Sequence, residues 1–204
     1  MKTTFTTTAL VAALLAASSS AALAQSANFT GPGLGVVVSA QQHRIDRDPA
    51  WTNDMGSNST ATALVGSWGI ASGQHWVTTV GLDIGLGNTE YFRETASGIT
   101  STAKVKQHYA LSVAPGYRLG NESLVYAKVA LHSLAIDYEA TNATAYARTH
   151  QGYGLGVGYA QALAKNIELR AELETIAYGW ETTANNVKLA PRQNNLNFAL
   201  VYKF

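Results

Sequence analysis

Hydrophobic and polar positions alternate with a period of two over most of this chain, which is the spacing of a β-strand with two unlike faces. From Trp76, Thr78, Val80, Leu82, Ile84 and Leu86 share one face, and Val77, Thr79, Gly81, Asp83 and Gly85 the other. The stretch 105–118 sets Val105, Gln107, Tyr109, Leu111, Val113 and Tyr117 against Lys106, His108, Ala110, Ser112 and Arg118. In 152–159, Tyr153, Leu155, Val157 and Tyr159 oppose Gly152, Gly154, Gly156 and Gly158. That G-x-G-x-G-x-G stripe has neither the spacing nor the following helix of a dinucleotide loop. In 167–174, Ile167, Leu169, Ala171 and Leu173 oppose Glu168, Arg170, Glu172 and Glu174.

Less regular strands are expected over about 33–43, 59–70 and 124–138, and a terminal one over 193–204, making eight. In 124–138, Tyr126, Lys128, Ala130 and His132 read as inward, while Leu134 and Ile136 break the pattern and suggest a bulge. Short links fall near 71–75, 119–123 and 162–166. Longer polar connections fall near 44–58, 88–104, 139–149 and 182–192.

Which solvent meets the large apolar face follows from the glycines. A strand face stripped of side chains is a poor water-facing surface but suits a crowded interior, so the Trp- and Tyr-rich face is assigned to lipid. A bilayer-crossing strand needs about 9–11 tilted residues, and closure into a barrel leaves no unpaired edge in hydrocarbon. The expected fold is therefore all-β, an eight-stranded antiparallel up-and-down transmembrane β-barrel. Trp68, Trp76 and Trp180, with Tyr109, Tyr117, Tyr153, Tyr159, Tyr178 and Tyr202, are expected in its interfacial girdles.

Composition supports an exported membrane protein. Of 204 residues 47% are hydrophobic and 13% charged, too apolar for a disordered chain, and the absence of Cys removes disulfides and thiolate metal sites. Lys2, the apolar run Ala9 to Ala17 and Ala22-Leu23-Ala24 form a leader, so residues 1–24 are expected as a signal peptide cut before Gln25, and 25–204 as the barrel. Loss of Lys2 brings the 14 Lys and Arg level with the 13 Asp and Glu, and the neutral mature chain has no charge that would attract nucleic acid.

An eight-stranded interior is just filled by side chains, so its ions must neutralise one another. Asp83, Glu168, Glu172 and Glu174 are expected to face Lys106, Lys128, Arg170 and Lys203, read first as a lumen network and second as a conduction path or a catalytic carboxylate pair. Folding 105–118 on 124–138 brings His108 opposite His132. The five histidines lack metal-motif spacing, and neither metal nor cofactor is expected. The 161–166 turn is expected to set Arg170 and Glu172 across from Gly156 and Gly154. Trp51, in a polar first loop, is a candidate contact for an extracellular ligand.

The whole mature chain resembles the small eight-stranded outer-membrane barrels of Gram-negative bacteria, the OmpA/OmpX/opacity-protein group. The most specific element is the ending: the family's assembly signal runs polar-x-Gly-x-x-aromatic-x-aromatic, and Asn197, Ala199, Tyr202 and Phe204 hold those places, with Ala for Gly. The resemblance is to the barrel alone, without a peptidoglycan-binding domain. It implies location in the outer membrane, with outer-membrane lipid, lipopolysaccharide and the assembly machinery as partners. It also implies a non-enzymatic role in envelope structure or host contact through four long loops. A small porin-like diffusion pore is the alternative, and a lipid A-modifying enzyme the third reading. The hydrolases of that kind carry a His-x-Ser pair, whereas His132 and Ser133 are adjacent and point to opposite faces.

Overall fold

The computed structural model describes residues 28–48, 55–87, 89–96, 98–141, 145–182 and 188–204. Residues 1–24, expected as the leader, and Gln25 and Trp51 lie outside the described residues. The described chain forms β1 (Gly31–Asp48), β2 (Met55–Ser72), β3 (Trp76–Leu86), β4 (Thr89–Ala96), β5 (Ile99–Arg118), β6 (Ser123–Ala140), β7 (Tyr146–Ala164), β8 (Ile167–Tyr178), β9 (Glu181–Thr182) and β10 (Lys188–Lys203). Eight of them pair antiparallel in the ring β1-β2-β3-β5-β6-β7-β8-β10, closed by β10 on β1 from Gly33↔Lys203 to Asp48↔Lys188.

Apart from Tyr178 and Val105, both faces follow the expected parity through the ring. Val38, Leu82, Leu111, Val129, Leu155, Leu169 and Phe198 point outward with 40–58% of their surface exposed, while Ala110, Ala130, Ala160 and Val201 are buried inside. One girdle residue is corrected: Tyr178 is 4% exposed and points into the barrel, unlike Trp76 and Trp180.

The strands run well past a bilayer's thickness. β5 has 20 residues and β7 has 19, about 65 Å of chain each at about 3.3 Å per residue. The connections expected as long polar loops are therefore mostly strand. Arg44 and Ile45 pair with Gly56 and Met55, and 89–105 is a hairpin in which Ala96 pairs with Ile99. Gly98 at its tip has φ 76°, and Gly87, where β3 gives way to β4, has φ 83°, both in the left-handed region that favours glycine.

At the long-strand end the ring opens at two seams. The β2–β3 ladder stops at Thr62↔Leu86, above which β2 pairs with β1 and β4 pairs with β5. The β7–β8 ladder stops at Gly152↔Tyr178, above which β7 pairs with β6 and β9 with β10. The barrel thus continues as two sheets, β4-β5-β6-β7 and β9-β10-β1-β2. Between them lies an apolar core of Ile45, Tyr91, Phe92, Val105, Leu134 and Ile136, closed below by Ile176 and Tyr178.

This core explains the parity of β6. No bulge interrupts it: β6 and β7 pair without a shift from Ser123↔Gln161 to Tyr138↔Tyr146, and Leu134 and Ile136 are 2% and 0% exposed. They turn inward because the protruding sheets bury apolar residues between them. The irregularity lies in β5 instead, between Val105 and Gln107. Val105 is buried, reversing its expected face, and Lys106 sits at the bulge on the outside.

Candidate functional site: a layered lumen

Inward side chains stack in three layers. Nearest the short turns are two apolar clusters, Phe29, Val77, Leu124, Ala160 and Ala162 with Tyr126 against them, and Val65, Ala199 and Val201; between them in register lie Arg170, paired with Ala160 and Ala199, and Glu168, paired with Ala162 and Val201. Charged and polar groups occupy the middle. The apolar core of the protruding sheets forms the third layer.

The middle layer centres on Lys128, 7% exposed, whose Nζ lies 2.9 Å from Glu172 Oε1, 3.2 Å from Glu174 Oε1 and 3.7 Å from Asp83 Oδ2. Glu172 also accepts from Tyr126 Oη at 3.2 Å and Asn197 Nδ2 at 3.0 Å. His132 Nε2 is 3.2 Å from Glu174 Oε1, and its Nδ1 is 2.9 Å from His108 Nε2. The two imidazoles are coplanar within 4°, although in register they are diagonal: Ala110, not His108, pairs with His132.

A second group is separate. Arg170 Nε donates to Glu168 Oε1 at 2.6 Å and its Nη2 to Ser67 Oγ at 3.2 Å. Lys203 is 4% exposed and its Nζ donates to the Gly31 carbonyl at 3.0 Å. Lys106 joins neither group; it is exposed and pairs with Asp137 at 3.4 Å. The single network expected from parity is thus a Lys128 cluster, an Arg170–Glu168 pair and a capped Lys203, with Lys106 displaced by the β5 bulge.

Why these ions fit is written in β7. The register is Gly158↔Glu172, Gly156↔Glu174 and Ala160↔Arg170. It lies four residues along β7 from the pairing expected across the 161–166 turn, because the chain reverses at Lys165–Asn166 and the ladder shifts between Ala162 and Ala164. The glycines are nevertheless overlaid by neighbours. A Cβ on Gly158 would lie 2.2 Å from the Tyr126 ring, one on Gly154 2.6 Å from His132 Nε2, and one on Gly152 2.6 Å from the Tyr178 ring. The bare strand makes the space that the long side chains of β6 and β8 fill.

Two cavities of about 50 and 60 Å³ flank the Lys128 cluster, each with room for a few waters. Among the described residues no group of three His, Asp or Glu is arranged to hold a metal ion. His132 and Ser133 point apart, and Ser133 Oγ accepts from Gln151 Nε2 at 3.1 Å on the outer face. Of the chain's last residues, Asn197 and Ala199 face inward, while Tyr202 and Phe204, 51% and 74% exposed, meet edge to face on the outside at 5.2 Å. Sequence reasoning missed Ser67 as a partner and the apolar layers at both ends. The β6 pair Leu134 and Ile136 carried the signal for one of those layers.

Among solved structures, Neisserial surface protein A has a similar fold (14% identity, 84% of this chain and 97% of that one, TM-score 0.56). The attachment invasion locus protein Ail of Yersinia pestis, solved in complex with the heparin analogue sucrose octasulfate, aligns at 13% identity over 83% and 99% (TM-score 0.47). The outer membrane protease OmpT of Escherichia coli aligns at 8% over 85% and 95% (TM-score 0.47). No curated protein matches the sequence. Residues 9–204 match the family described as outer membrane protein beta-barrel domain. With that match over nearly the whole chain and a closed ring of eight antiparallel strands, the chain belongs to this family and resides in the bacterial outer membrane.

Proposed function

We propose that the protein is a closed, non-enzymatic outer-membrane barrel that serves envelope structure and surface contact through its protruding sheets. The observation that supports this reading is the filled lumen, a buried ionic cluster below the apolar core of the protruding sheets and above apolar clusters that flank the Arg170–Glu168 pair, with cavities of only about 50 and 60 Å³ beside it. A diffusion pore needs continuous water, and the inward Leu134, Ile136, Tyr91 and Phe92 leave a dry stretch where that water would enter. Asp83, Lys128, Glu172 and Glu174 act in this reading as an internal brace, as do Arg170 and Glu168. Their mutual hydrogen bonding offsets the cost of burying charge. In the same reading Asn197, Ala199, Tyr202 and Phe204 present the assembly signal to the insertion machinery, and residues 1–24 are removed on export.

A deletion strain and its complemented parent test the role. The expected result is unchanged uptake of small solutes together with a changed attachment to surfaces or a changed resistance to envelope stress. Loss of solute uptake with attachment and stress resistance intact would turn the reading to a pore.

A further inference from the structure

The cavity of about 60 Å³ in the lumen is lined by members of both the Lys128 cluster and the Arg170–Glu168 pair. Two of its lining residues, Glu168 and Asn197, carry a buried oxygen that no donor reaches among the described residues. Glu168 is 2% exposed; its Oε1 accepts from Arg170 Nε at 2.6 Å, and its Oε2 has no hydrogen-bond partner. Asn197 directs Nδ2 to Glu172 at 3.0 Å and to Glu174 at 3.4 Å. Those two carboxylates fix the orientation of the amide and leave its Oδ1 without a donor. Both orphans are acceptors, and burying an acceptor unmade is costly, most of all on a carboxylate.

The cations on the same wall are already engaged. Lys128 Nζ is held by Glu172, Glu174 and Asp83, and Arg170 directs Nε to Glu168 Oε1 and Nη2 to Ser67 Oγ. Of the charged groups that line the cavity, Asp83, Glu168 and Glu172 are acids and Lys128 and Arg170 are bases, an excess of one negative charge. Thr79 and Ser112 bring hydroxyl oxygens to the same wall.

We propose that this cavity binds one monovalent alkali cation, of which sodium is the type. Glu168 Oε2 and Asn197 Oδ1 anchor it, and hydroxyl oxygen and water complete its shell. Hard cations take carboxylate, amide carbonyl, hydroxyl and water oxygens in place of their hydration. One positive charge cancels the excess on the wall, which a water molecule donating to the same oxygens would leave in place. Calcium would need six to eight oxygens, several of them carboxylates, and would overcompensate. The histidine spacing that argued against a metal speaks to transition metals and not to an ion held by oxygen alone. The site lies within the internal brace of the proposed function; it is read by stability, whereas closure of the lumen is read by conductance, so either can fail alone.

The test is the equilibrium unfolding of the full barrel by urea in phosphatidylcholine vesicles, in sodium chloride and in choline chloride of equal ionic strength. A ligand that binds only the folded state raises the folded-to-unfolded ratio by mass action, however slowly it exchanges. For wild type the ratio is expected to be about tenfold higher in sodium than in choline. E168Q should lose that gain and S112A should lose part of it, the second variant serving if the first folds poorly. K104Q, outside the lumen, should respond as the wild type does. Equal wild-type stability in the two salts would show that water satisfies these oxygens, and a full sodium gain retained in E168Q or S112A would place the ion elsewhere; either result overturns the proposal.

Discussion

At the scale of single residues, the lumen is a problem of charge placement. Lys128 balances only part of the charge on Glu172, Glu174 and Asp83, and among the described residues no second ammonium reaches them. Replacing Lys128 with Met should therefore strand three carboxylates and lower unfolding free energy by about 3–5 kcal/mol, the usual cost of removing one partner from a buried ion pair. Glu172→Gln keeps shape but weakens the acceptor for Lys128, Tyr126 and Asn197, and should cost about 1–3 kcal/mol. Urea titration of the folded barrel in detergent checks both, and a Lys128→Met barrel as stable as wild type would remove the brace.

A second residue-scale prediction concerns His43, above the lipid band, whose ring packs 4.1 Å from that of Tyr91 and whose Nε2 lies 2.7 Å from Ser59 Oγ. Burial lowers its pKa from 6.5 to about 4. Between those values the unfolded chain binds a proton that the folded chain does not. Its contribution to stability is thus complete above pH 6.5 and is lost as pH falls towards 4, on the order of 2 kcal/mol. The difference in unfolding free energy between wild type and His43→Gln, measured from pH 7.5 to 4, should show this slope; a flat difference would mean that the imidazole titrates freely in the fold.

At the scale of elements, alternation was legible because each strand separates two environments. It does not say which environment is which. β6 shows the difficulty and its solution: Val125, Val129 and Leu131 are apolar outward, whereas Leu134 and Ile136 are apolar inward, with no slip of register between them. The apolar set changes faces where the strand leaves hydrocarbon and enters the two-sheet protrusion, and a bulge was expected there only because a single solvent was assumed for the whole strand. The β5 bulge at Lys106 left no mark in a pattern that reads smoothly from Val105 to Tyr117, so it could not be found from spacing. Within the band, Leu155→Arg should cost about 2–4 kcal/mol in bilayers, read by the urea midpoint of folding into vesicles. Above it, the Tyr91 hydroxyl donates to the Arg192 carbonyl at 3.0 Å and ties one sheet to the other. Tyr91→Phe should cost about 1 kcal/mol and speed hydrogen exchange in 188–193 and 89–96 while leaving 153–160 protected; uniform change along the chain would argue against a separable protrusion.

At the scale of the whole molecule, eight strands, closure by the first and last of them, and residence in the outer membrane were all readable from the chain's ending and its alternating faces. The interior was readable only in composition. Charges on β6 and β8 had to share the lumen with glycines on β7, but their grouping into a Lys128 cluster and an Arg170–Glu168 pair depends on a turn position that shifted the β7–β8 register by four residues. The apolar core of the protrusion comes from residues such as Leu134 and Ile136 that resemble lipid-facing ones in every local respect. Closure of the lumen is the claim on which the functional reading stands. Single wild-type barrels in a planar bilayer test it directly: the expected record is the bare-membrane baseline, or at most brief openings on the order of tens of picosiemens, and sustained steps of nanosiemens size would show continuous water through the lumen and contradict the account.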